Sequence, residues 1–169
     1  MMIAEFKSRK IELTWTLLLI CYNSNDLLKN CQHEKRFVGG DEIINYATNL
    51  LSETDDCRIV SLAILGENEQ EMILDLLQQL SGEEKCDYSV EFRKFRAMYV
   101  HKNLPSTNDD FIQGILRITE IWDHFNFPGD SPNVYYKFKD YSLANFRKLL
   151  KINSNWVNEE FIKLKCSDS

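Results

Sequence analysis

Phe111-Ile112-Gln113-Gly114-Ile115-Leu116-Arg117-Ile118-Thr119-Glu120-Ile121-Trp122-Asp123-His124-Phe125 carries apolar side chains at 111, 115, 118, 122 and 125, in steps of four, three, four and three. Such steps return to one face of a helix with 3.6 residues per turn, whereas a strand changes face at every residue. The stretch therefore predicts a long amphipathic helix, opened near Asn108, with Trp122 turned inward. Upstream, Tyr88, Phe92, Phe95 and Tyr99 follow the same rule and predict a helix over 88–102. Leu104-Pro105 ends it, because the residue before a proline avoids the helical region. Arg93, Lys94 and Arg96 are expected on its other faces.

The pattern continues to both ends of the chain. Met72, Ile73, Leu76, Leu77 and Leu80 predict a helix over 67–80, stopped by Ser81-Gly82. Ile43, Ile44, Ala47, Leu50 and Leu51 predict one with Asp41 as its N-cap, and Ile59, Leu62 and Ala63 predict another, opened by Asp55 or Asp56 and stopped at Gly66. Thr14 is expected to cap a helix ending at Tyr22. Near the C-terminus Ser142 caps a helix with Leu143, Phe146 and Leu150 inward, and after Asn153-Ser154 a last helix presents Val157, Phe161 and Leu164. Residues 30–40 and the Phe127-Pro128-Gly129-Asp130-Ser131-Pro132 stretch read as loops. Val134–Tyr141 alternates loosely and reads as a short extended segment.

Six glycines and three prolines in 169 residues are too few for the turns that an all-β sandwich or barrel needs. With 44% apolar and 27% charged residues, disorder is disfavoured as well. The reading is an all-α single domain over residues 1–169. Seven to eight helices pack as antiparallel neighbours, with an irregular repeat-like stack as a variant. The longest apolar run, Trp15–Tyr22, is well short of the ~20 residues of a membrane span. Nothing resembles a secretory leader, and five scattered cysteines suit reduced thiols, so the expected location is the cytoplasm.

Charge is unevenly spread over a chain of net charge −6. Between Asp41 and Glu84 eleven acidic residues face one base, Arg58, which leaves the remainder net positive. A run of this kind is either a solvated helix face or a docking surface for a basic partner, since a field of one sign speeds encounter and rejects wrong partners. It argues against direct nucleic-acid binding there. Tyr135, Tyr136, Phe138 and Tyr141, interleaved with Lys137 and Lys139, are the best candidate for such contact, but the patch is small in an acidic protein.

Chemical motifs are scarce. Cys31-x-His33 has no second ligand pair and reads as a loop cysteine beside an exposed histidine, so no metal or cofactor is expected. Gly39-Gly40-Asp41 could face an anion only with Asp41 and Glu42 repelling it. No Gly-x-Ser-x-Gly elbow occurs. Asp123 and His124 are adjacent on a helix and point apart, so Glu120 and His124 read as a surface pair. No catalytic residue is singled out, and the chain is not expected to be an enzyme.

Leu13-Thr14-Trp15, Asp41-Glu42-Ile43 with Ala47, and Ile121-Trp122-Asp123-His124-Phe125-Asn126-Phe127-Pro128 resemble an uncharacterised bacterial family of small, acidic, all-helical proteins. That family tends to place a proline after the tyrosine that follows the Phe-Pro loop, where this chain has Lys137-Phe138. The resemblance implies an association with polymorphic or contact-dependent toxin loci and the role of an immunity protein. Composition is compatible with that role, because an acidic binder suits a basic toxin domain of nuclease type, whose own charge serves phosphate backbones. The expected function is stoichiometric occlusion of such a toxin, with Asp55, Asp56, Glu67 and Glu71 as the partner-binding residues. A helical adaptor that binds another protein without inhibiting it is the alternative, and an enzyme with an unrecognised site is the third reading.

Overall fold

The computed structural model describes residues 1–28 and 36–166, without the side chain of Cys166, and among them it is all-helical. The helices are α1 (Met2–Ser8), α2 (Trp15–Tyr22), α3 (Ser24–Leu27), α4 (Gly40–Leu50), α5 (Cys57–Ala63), α6 (Gln70–Glu83), α7 (Tyr88–Asn103), α8 (Phe111–His124) and α9 (Leu143–Cys166). A 3-10 turn, Phe138–Asp140, precedes α9. One core cluster draws on every helix except the four-residue α3.

The middle of the fold is α2. Leu17, Leu18, Ile20, Cys21 and Tyr22 are all buried, so the helix is apolar nearly all round, as an interior helix must be. It packs against both α6 and α7. Thr14 opens it: the hydroxyl oxygen accepts from the Leu17 N–H at 3.0 Å, and the hydroxyl donates to Glu91 of α7 at 2.8 Å. From this centre α4 leans on α5 and α5 on α6, while α7 and α8 both pack on α9.

The most periodic stretch behaves as its spacing demands. Asp110 caps α8 by accepting from the Ile112 and Gln113 N–H groups, both at 3.0 Å. Ile115, Ile118 and Trp122 are buried, with Phe111 and Phe125 partly covered. The helix stops where Asn126 and Phe127 adopt left-handed backbone (φ 56° and 46°), and the Phe127 N–H folds back onto the Trp122 carbonyl at 3.0 Å. A left-handed φ is strained for an aromatic residue. Packing of the Phe127 ring on Tyr135, with centroids 5.2 Å apart, helps to hold it.

Several expectations are corrected. Gly39, not Asp41, occupies the N-cap of α4, and Asp41 lies in the first turn, where the helix dipole favours a carboxylate. The helix expected over 67–80 starts at Gln70 and runs to Glu83, because Glu69 turns its carboxylate back to the Gly66 N–H at 2.6 Å and holds residues 66–69 as a link. Asn153-Ser154 does not end a helix. Asn153 is buried inside α9, donating to the Leu149 carbonyl at 2.8 Å and accepting from the Trp122 indole at 2.6 Å. Two buried partners outweigh the usual preference of Asn for turns.

No strand forms over 134–141, and α1 was not foreseen although Ile3 and Phe6 are buried. Met72 and Leu143, expected inward, are exposed. Conversely, Lys94 and Arg96 of α7 are buried. Lys94 pairs with Glu91 at 3.1 Å, and Arg96 pairs with Asp130 and lies over the Trp156 ring at 5.4 Å. The expected loop at 30–40 is described only from Arg36 onward, and the Cys31/His33 pair lies outside the described residues.

Candidate partner-binding surface

Helices α5 and α6 form a hairpin that carries much of the acidic segment. It is antiparallel, as Arg58 shows: from the first turn of α5 it donates to Glu83 at 2.7 Å, at the far end of α6. At 1.5 Å per residue, α6 separates its two ends by about 20 Å. Of the four predicted contact residues, Asp55 and Asp56 therefore sit beside Glu83, while Glu67 and Glu71 sit at the link end. The structure brings the four together only as two pairs.

Asp56 has a role within the fold. It caps α5 through the Arg58 N–H at 2.9 Å and accepts from the Arg58 guanidinium at 2.6 and 3.0 Å. Those side-chain and then backbone hydrogen bonds from Arg58 hold its carboxyl down at about 2. Other acids of the segment are likewise committed. Glu84 accepts from the N–H groups of Trp15 and Thr16 at 2.7 and 2.8 Å and so caps α2 from outside, and Glu42 accepts from the Ile3 N–H at 2.9 Å. Carboxylates suit helix N-termini, which carry partial positive charge. The run of acids hid these roles in the sequence, because the partner helix ends are distant along the chain.

Asp55, Glu67, Glu71 and Asp75 are exposed, and they make no ion pair among the described residues. Three of them, Glu67, Glu71 and Asp75, belong to the link half of the hairpin. The same region exposes Ile64 (78%), Met72 (45%) and Val60 (41%). Glu71 and Asp75 are four residues apart and share a face of α6, and Val60 lies four residues before Ile64, the C-cap of α5. From Ile59 to Glu84 the sequence contains no Lys, Arg or His, so no cation of the segment neutralises them. Exposed apolar anchors amid polar groups make up the usual anatomy of a protein contact.

Elsewhere, some titratable groups are tied into packing. His124 is buried and paired through Nδ1 with the Tyr99 hydroxyl at 2.9 Å, not displayed beside Glu120 as expected. Only Tyr99 reads as inward from its spacing; the Glu120 spacing points His124 outward, and nothing local in the sequence signals the pairing. Among the described residues no three His, Cys, Asp or Glu side chains are grouped to hold a metal ion, and no helix is long and apolar enough to cross a membrane. Cys21, Cys57 and Cys86 are free thiols, and burial, foremost, pushes the Cys21 thiol up.

Fold and surface together define a small all-helical protein whose most prominent free feature is an acidic, partly apolar hairpin. Its family is now assignable: residues 3–161 match the model of a family described as "uncharacterized protein conserved in bacteria (DUF2247)", and the chain belongs to that family. Neither a curated protein nor a solved structure matches it.

Proposed function

We propose that the protein is an immunity-type binder that neutralises a cognate bacterial toxin domain, basic and of nuclease type, by stoichiometric occlusion. The link end of the α5–α6 hairpin is its docking surface. The observation that carries this reading is the placement of Glu67, Glu71 and Asp75, exposed and without an ion pair among the described residues, in the same half of the hairpin as exposed Ile64 and Met72. The carboxylates stand in for substrate phosphates on the toxin, and the apolar side chains supply the desolvated centre.

The test is co-expression with the product of an adjacent toxin-like gene, followed by co-purification and a growth assay. The proposal expects a 1:1 complex and protected cells, and both are lost in Glu67→Lys/Glu71→Lys/Asp75→Lys. Asp55→Lys, at the opposite end of the hairpin, should leave protection intact. Binding without any loss of toxin activity would favour the adaptor reading. Full protection by the folded triple variant would overturn this docking surface.

A further inference from the structure

A second surface, built on other elements, has the opposite character. Between the end of α7, the link to α8 and the N-terminal half of α9 lies a groove of ≈ 460 Å³ lined by His101, Leu104, Pro105, Thr107, Arg147, Leu150, Lys151 and Ser154. That volume is within the range of small-ligand sites. No carboxylate lines it.

Most of the arginines elsewhere in the described chain are engaged: Arg9 with Glu5, Arg58 with Asp56 and Glu83, Arg93 with Glu160, and Arg96 with Asp130. Arg147 and Lys151 make no ion pair among the described residues, and they stand one turn apart on the same face of α9. The hydroxyls of Thr107 and Ser154 make no hydrogen bond there either.

His101 also lines the groove. Its Nε2 faces the Arg9 guanidinium at 2.7 Å, and since an arginine can only donate, Nε2 is the acceptor and Nδ1 carries the proton of the neutral ring. Burial, and then the Arg9 charge, hold the imidazole below its usual value, against a smaller opposing pull from Glu5. The end of a helix is normally a poor neighbour for an anion because of its free carbonyls. Here the Tyr99 carbonyl is taken by the Asn103 amide (2.9 Å), that of Val100 by the Leu104 N–H (3.0 Å) and that of Asn103 by Arg117 (3.0 Å).

We infer that this groove is a binding site for a small phosphate monoester, with the phosphoryl group between Arg147 and Lys151 and its apolar or aromatic body on Leu104, Pro105 and Leu150. Guanidinium and ammonium groups supply the charge-assisted hydrogen bonds that phosphate oxygens accept, and the hydroxyls complete the set. The site does not depend on the proposed function, since it shares no helix with the acidic hairpin.

Calorimetric titration of the full chain at low ionic strength tests the assignment, with adenosine monophosphate and phenyl phosphate as probes and adenosine and inorganic phosphate as controls. One molecule per chain should bind, each ester more tightly than inorganic phosphate and adenosine not measurably. Arg147→Ala/Lys151→Ala, both exposed and so expected to keep the circular-dichroism spectrum and melting midpoint, should weaken binding at least about tenfold. Lys7→Ala/Lys10→Ala, beside a different groove, should change nothing. Absence of binding by both esters up to about 1 mM, equal binding of adenosine, undiminished binding by the Arg147/Lys151 variant, or loss in the Lys7/Lys10 variant would each overturn the site.

Discussion

The indole N–H of Trp122 donates to Oδ1 of Asn153 at 2.6 Å in the interior, tying α8 to α9 through a pair of groups that are both fully buried. Asn153 spends its own amide N–H on the Leu149 carbonyl, and the Trp156 ring stands edge-on to Trp122 with centroids 4.9 Å apart. A buried polar group left without its partner costs more than the bond itself contributes.

Truncation at this junction should therefore separate packing from hydrogen bonding. Trp122→Ala is expected to cost about 3–5 kcal/mol, the range for deleting a buried aromatic side chain. Trp122→Phe and Asn153→Leu each strand one buried partner, at about 1–3 kcal/mol. Urea unfolding of the double variant should show a loss smaller than the sum of the two. Strict additivity would mean that the two groups do not depend on each other.

Gly114 lies where α8 meets α9, and a Cβ there would crowd the buried Phe146 ring, with Cζ at 2.7 Å. Alanine would improve helix propensity by about 1 kcal/mol, but overpacking a closed core costs about 1–3 kcal/mol. Gly114→Ala should thus lower the melting midpoint. Phe146→Leu, which removes the obstructing ring edge, should be less damaging in the Gly114→Ala background than in the native one.

The fold was legible wherever local periodicity and a capping side chain agreed, as at Thr14 before Trp15 and, of the two candidates Asp55 and Asp56, at Asp56 before Cys57; α8 opens at Asp110 rather than near Asn108. It was misread wherever a distant partner decided the outcome. Asn153 looks like a helix end until Trp122 is known to face it. Lys94 and Arg96 look like surface charges until Glu91 and Asp130 meet them, and Gly114 carries no signal until Phe146 lies across it. The acidic surface was legible as a segment but not as a shape. Glu84 and Asp56 are drawn off by helix ends and Arg58, and chain reversal at the link sends Asp55 away from Glu67 and Glu71.

The Asp56–Arg58 contact predicts a pH dependence. The Asp56 carboxyl is held at about 2 in the folded chain, against roughly 3.9 when unfolded. Its stabilising contribution is therefore complete above about pH 4 and lost as pH falls through 2. The group is partly solvated, so the effect amounts to about 1 kcal/mol. Asp56→Asn keeps a capping oxygen but no charge. Urea unfolding at pH 7 and pH 2.5 should show wild type losing its margin over the variant, and an unchanged margin would contradict the ion pair.

The hairpin tip makes a kinetic prediction for the proposed toxin complex. Exposed charges at the rim of a contact act on the association rate and its salt dependence, whereas desolvated apolar anchors act on dissociation. Glu71 and Asp75 share a face beside Met72, and Ile64 is among the most exposed large apolar side chains of the described chain. Glu71→Gln/Asp75→Gln should slow association several-fold at low salt, and the difference should shrink toward physiological ionic strength, where the Debye length is about 8 Å. Ile64→Ser should instead speed dissociation and leave the salt slope unchanged. Stopped-flow association and surface-plasmon dissociation measurements across a salt series separate the two. A salt slope identical in wild type and the Glu71/Asp75 variant would remove those carboxylates from the interface.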